Sequence, residues 1–211
     1  MIAKAEREQI IALINREVVP AIGCTEPIAV ALCVAKATET LGCKPEKIQA
    51  LLSANILKNA MGVGIPGTGM IGLPIAIALG ALIGKSEYQL EVLKDSTPEA
   101  VEEGKKLIDS QAINIALKYG IEEKLYIEII CEAEGKKATA IISGGHTNFV
   151  YVARDGEVLV NKQTSATDEA AADDVELTLR KVYDFATTSP IEELKFILET
   201  RNLNKQAAER S

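Results

Sequence analysis

The sequence predicts an α+β fold in which buried helices pack with an antiparallel strand meander. Three observations carry this. Apolar residues recur at helical spacing through residues 3–40, a charge-free run between Lys58 and Lys85 combines glycines with a dense apolar stretch, and four strand-like runs follow residue 124 with turn residues between them. At 211 residues, 47% hydrophobic and 25% charged, the chain is long enough to bury a core as one domain or two small ones.

In order, Ile10, Ile11, Leu13, Ile14 and Val18 lie among charges at helical spacing, so residues 3–18 form an amphipathic helix ended by Val19-Pro20. A second helix is expected over 26–40, apolar most of the way round and therefore buried on several sides. Residues 47–56, KIQALLSANI, read as a strand. The run without charge is not a membrane span, because its dense part, Met70 to Ile83, is shorter than the roughly 20 residues a spanning helix needs. It reads instead as a glycine-rich loop before a buried helix. Ser96-Thr97-Pro98-Glu99 starts a helix that continues to Tyr119, where Gly120 ends it. Strands are expected over 124–131, 137–142, 147–153 and 157–161. Residues 161–173 form a polar connecting segment. Two helices, 175–187 and 190–200, then make up a C-terminal part spanning 174–211, with a polar tail.

A net charge of -7 without a lysine or arginine cluster argues against nucleic-acid or anionic-membrane partners and favours a small-molecule substrate. The N-terminus lacks the apolar core of a secretory signal, so a cytoplasmic location is expected. Cys24, Cys33, Cys43 and Cys131 contain no CxxC pair and are not read as a disulfide framework.

Three stretches carry chemistry. In VVPAIGCTEPIAVALCVA, Gly23 allows a turn, Thr25 can cap a helix and Pro27 suits its first turn, which sets Cys24 at a helix N-terminus. Amide hydrogens and the helix dipole favour a thiolate there, a nucleophile or metal ligand; the alternative is a small buried hydrophobe. Cys33, nine residues on, falls on the opposite face at about 100° per residue and cannot share a metal with it. The second stretch, GVGIPGTG over 62–69, formally matches a dinucleotide fingerprint, but the later hairpins disfavour the parallel sheet that this fingerprint needs. Its backbone amides offer a seat for a carboxylate or phosphate, and the alternative is a tight loop under a buried helix. Lys58 just before it suggests a Schiff base with pyridoxal phosphate, and nothing else in the chain supports that cofactor. The third, SGGHTNF over 143–149, holds the single histidine, His146, beside Thr147 and Asn148, a polar trio suited to holding a small substrate or to acid-base chemistry.

Taken together, GCTEPIAVAL, NILKNAMGVGIPGTGMIGLPIAIALG and GGHTNFVYVARDGEV resemble a bacterial and archaeal family of iron-sulfur L-cysteine desulfidases, related to the L-serine dehydratase alpha chain. The resemblance covers most of the chain. It implies that Cys24 is a ligand of a 4Fe-4S cluster, and that the reaction is β-elimination of sulfide from L-cysteine to give pyruvate and ammonia, or of water from L-serine. Members of that family are longer, and their other cluster cysteines lie in a C-terminal part. The chain is therefore expected to be the N-terminal half of a lyase of amino-acid degradation, completed by a C-terminal half or partner subunit, and its charge-free helices leave room for a homo-oligomer.

On that expectation the substrate carboxylate rests on the loop that holds Gly67 and Thr68, with Lys58 and Asn59 nearby, while His146, Thr147 and Asn148 position the amino group or move a proton. Two other readings stay open. Cys24 and His146 form the dyad of a metal-free thiol hydrolase, or the chain is a non-catalytic module for amino-acid binding or assembly.

Overall fold

A computed structural model describes residues 2–21, 23–162 and 175–210. The chain divides into two compact units, one of Met1–Val19 with Ser165–Ser211 and the other of Pro20–Thr164. No helix among the described residues is long and apolar enough to cross a membrane.

The larger unit is an α+β layer structure. Helix α2 (Thr25–Leu41) is followed by β1 (Lys47–Leu52), α3 (Ala54–Ala60), a two-stranded antiparallel hairpin of β2 (Gly64–Ile65) and β3 (Met70–Ile71), then α4 (Leu73–Leu82). A short 3-10 segment leads to α5 (Pro98–Asp109), and β4 (Ile113–Leu117), β5 (Tyr126–Ala133), β6 (Lys136–Ser143), β7 (Phe149–Arg154) and β8 (Glu157–Asn161) complete the sheet. Strand order is β4-β1-β5-β6-β7-β8. The expected meander is its β5 to β8 part. The sheet as a whole is mixed, because β1 pairs β5 antiparallel and β4 parallel.

Two boundaries correct the sequence expectations. The strand expected over 47–56 stops at Leu52, because Ser53 caps α3: its Oγ accepts from the Ile56 amide and donates to the Lys124 carbonyl at 2.8 Å. The helix expected to reach Tyr119 ends at Asp109, and Gln111 adopts a left-handed φ of 58°. The residues that follow alternate, and Ile113, Ile115 and Leu117 lie opposite Ile48, Ala50 and Leu52 of β1. Pairing beside a finished strand outweighs a helical reading there.

Helix α2 covers the sheet and α4 packs on α2, so Ile28 to Ala35 are all fully buried. A helix enclosed on both sides needs apolar residues all round. The α2–α4 crossing is close: a Cβ on Gly80 would sit 2.6 Å from the Ala31 carbonyl oxygen, and one on Gly84 2.8 Å from Ala35 Cβ. Beneath α2, the buried strand residues Ile48, Ala50, Ile127, Ile129, Ala140 and Ile142 form the main core.

In the smaller unit, α1 (Lys4–Glu17) and α6 (Leu179–Thr188) join through Ile2, Ile10 and Phe185. Arg7 forks onto Glu193, with Nε to Oε2 at 2.8 Å and Nη2 to Oε1 at 3.0 Å. Helix α7 (Ile191–Leu194) and α8 (Leu198–Arg210) follow. The helix expected from 175 thus begins at Leu179, and the polar tail lies in α8. Most of the connecting segment expected over 161–173 lies outside the described residues, apart from Asn161, which ends β8, and Lys162.

Candidate functional site

Gly23 and Cys24 form the entry to α2. A side chain at Gly23 would meet the Pro66 ring at 2.9 Å, so glycine lets the hairpin tip close against this turn. Cys24 is the N-cap residue, with extended backbone and no capping side-chain bond. The cap expected of Thr25 is therefore absent; its hydroxyl donates instead to Glu26 Oε2 at 3.3 Å.

Glu26 gathers the site. The Cys24 thiol donates to its Oε2 at 3.0 Å, and Asn59 Nδ2, from the last turn of α3, donates to its Oε1 at 3.4 Å. His146, in the β6–β7 loop, is near enough to act on this carboxylate through charge. The Cys24 contact, then Asn59 and His146, hold the Glu26 carboxyl below its usual range, and its place in the first turn of α2 suits a negative charge. The same contact reverses the expectation for Cys24. Partial burial, then the bond and charge of Glu26, raise its thiol above the ordinary value, so the group at rest is a protonated donor. A helix N-terminus favours a thiolate only while no carboxylate takes the same position.

Cys24 and Asn59 are thus brought to one carboxylate from two separate segments, and His146 acts on it through charge. Lys58 is exposed one residue before Asn59. Thr68 is engaged within the hairpin: its hydroxyl donates to the Ile65 carbonyl at 2.7 Å and accepts from the Met70 amide at 2.9 Å, and its own amide bonds Ile65. Gly67 is exposed at a φ of 76°, in the same turn. Asn148 holds its own loop, donating to the Ser143 carbonyl at 2.9 Å and accepting from Lys162 Nζ at 3.1 Å, while Thr147 is exposed beside it. The glycines of the formal dinucleotide fingerprint lie in an antiparallel hairpin, not at a strand-to-helix turn of a parallel sheet. Glu26 was the member not assigned from sequence. Its signal was its position, two residues after Cys24 in the first turn of the helix.

Of the four cysteines, Cys24 is the one bonded to Glu26. Cys33 Sγ is buried and directed at the carbonyls of Ala140, at 3.3 Å, and Ile127, at 3.8 Å. Burial pushes its thiol well up, and pushes that of Cys131 up to about 12. Among the described residues no group of three or more His, Cys, Asp or Glu side chains is placed to hold a metal ion. Two concavities, of about 410 and 290 Å³, lie by the β5–β6 and β7–β8 turns and contain none of these residues.

Fold and site together define an α+β protein with a thiol-carboxylate cluster at the mouth of a buried helix. The chain is similar to proteins named UPF0597 protein: 81% identical over all of its length to one from Phocaeicola vulgatus, 69% over 99% of it to one from Bacteroides thetaiotaomicron, and 41% over 98% of it to one from Aeromonas hydrophila. It spans 49%, 48% and 47% of these relatives, about half their length. No family model and no solved structure matches the chain.

Proposed function

We propose that the chain is half of a cytoplasmic L-cysteine desulfidase, or of a closely related L-serine dehydratase, with Cys24 as this half's contribution to a 4Fe-4S cluster. The observation that supports this is the meeting of Cys24 and Asn59 on Glu26 at the start of α2, with His146 close enough to act on that carboxylate through charge. A cluster supplies a Lewis acid for a poor leaving group. Within this chain, Glu26 Oε2 accepts the hydrogen bond of the Cys24 thiol and is the base beside the proton that a thiol gives up when it binds a metal. Asn59 fixes the other carboxylate oxygen, and His146 is the titratable group nearby for proton transfer at a substrate. The missing ligands come from the polypeptide that the longer relatives carry in addition. A metal-free Cys/His dyad has less support, since the thiol is bonded to Glu26 and its pKa is raised.

The test is a full-length chimera in which this chain replaces its aligned span in the Phocaeicola vulgatus relative. It is purified anaerobically, reconstituted with iron and sulfide, and assayed for pyruvate from L-cysteine and L-serine. A brown chromophore and pyruvate, both lost in Cys24→Ala, are expected. A folded chimera that binds no iron and releases no pyruvate sinks the reading.

A further inference from the structure

The relatives carry about as much polypeptide outside the aligned span as within it. One surface of the smaller unit is suited to receive such a segment. On α6, Phe185 is buried against Ile2 and Ile10, and the charged groups are engaged: Lys181 pairs with Glu6 at 2.8 Å and Arg180 with Asp184 at 3.2 Å. Leu179, Val182, Tyr183 and Ala186 stand at i, i+3, i+4 and i+7, one uncharged stripe, and all four are exposed, Leu179 by 89%. In the same unit Ile191 and Leu198 are exposed as well. Apolar anchors at this spacing are the side of a helix that a partner's hydrophobic groove receives. Contiguous apolar surface of this kind marks an interaction site, unlike single exposed side chains.

We propose that the stripe of Leu179, Val182, Tyr183 and Ala186 is the docking surface for the polypeptide that forms the other half of these relatives. The identity of the occupant rests on the half-enzyme reading above, while the docking itself requires neither a cluster nor turnover. The relatives' lengths favour this occupant, because each of the three described carries the additional polypeptide in its own chain.

The test introduces Leu179→Cys into the 211-residue chain and into the full-length chimera. Both are treated with a maleimide, and labelling is followed on the peptide that contains position 179. Fast labelling in the chain and labelling slowed about tenfold or more in the chimera are expected. The double variant Leu179→Asp with Val182→Asp lowers the melting temperature of the chimera and leaves that of the chain in place. Equal labelling in both proteins overturns the proposal, as does protection already present in the chain alone. Protection of the chain that grows with its concentration assigns the surface to a second copy and also overturns it. Where the chimera does not fold, the chain is co-expressed with the relative's remaining residues, and co-purification that survives the double variant rejects the surface. Protection without pyruvate counts against the lyase alone, and pyruvate without protection against the surface alone.

Discussion

The Cys24 thiol is bonded to the Glu26 carboxylate, Sγ to Oε2 at 3.0 Å, so the reactive sulfur of this chain is held by a base two residues along the same helix start. Each partner moves the other: the bond lowers the Glu26 carboxyl and raises the Cys24 thiol.

Removing the carboxylate frees the sulfur. Glu26→Ala is expected to lower the Cys24 thiol pKa and speed its alkylation near neutral pH several-fold, measured by iodoacetamide kinetics against pH on the metal-free chain. An unchanged profile would mean that Glu26 does not govern the thiol. The sign for folding is opposite: a carboxyl whose folded pKa is lowered stabilises above its unfolded value, near 4.3, and that contribution is lost as pH falls through the folded value. Wild type therefore loses more stability than Glu26→Ala on acidification below about pH 4.5.

The four thiols divide by burial. Cys33 and Cys131 are fully buried with raised pKa values, while Cys24 and Cys43 are partly accessible. At pH 8, peptide mass spectrometry is expected to find Cys24 and Cys43 alkylated in the native protein, with Cys33 and Cys131 reacting only in denaturant. Native labelling of Cys33 would contradict its place between α2 and the sheet.

Gly80→Ala tests the close helix crossing. Alanine gains about 1 kcal/mol of helix propensity over glycine. Against this, its methyl group would sit 2.6 Å from a backbone oxygen that cannot turn away, and overpacking costs about 1–3 kcal/mol, occasionally more. A net loss is expected in urea melts. Gly62→Ala, where the methyl group meets nothing within 4 Å, serves as the comparison and stays near neutral.

Ser53→Ala removes the α3 cap and the donor to the Lys124 carbonyl, in a residue only 3% exposed. A lost cap costs about 1 kcal/mol, and a lost hydrogen bond to the Lys124 carbonyl about 0.5–1.5 kcal/mol. A loss of roughly 2 kcal/mol is expected by chemical denaturation. A loss near zero would show that water replaces both bonds.

The β5 to β8 strands could be read from the sequence because each turn carries its own signal, such as Glu134-Gly135 and Asp155-Gly156, whose backbones take positive φ. The buried α2 was equally plain, because a helix enclosed on two sides has no polar face to write. Strand β4 was not, since Leu107, Ile108, Ile113, Ile115 and Leu117 fit helical spacing well enough and only β1, more than sixty positions earlier, decides for a strand. The site was half legible. Cys24, Asn59 and His146 stood out by residue type, but their common partner did not, because a glutamate in a helix's first turn is ordinarily explained by the dipole alone.

The pairing of Ile48 with both Ile113 and Cys131 places segments more than sixty positions apart side by side on β1. Pairings so remote along the chain form slowly, since long loops must close before any contact rewards them. The Cys24–Glu26 contact is instead local, between residues two apart at the start of α2: during refolding, the shift of Cys24 from free-thiol to slowed alkylation should accompany the appearance of helix and precede completion of the sheet.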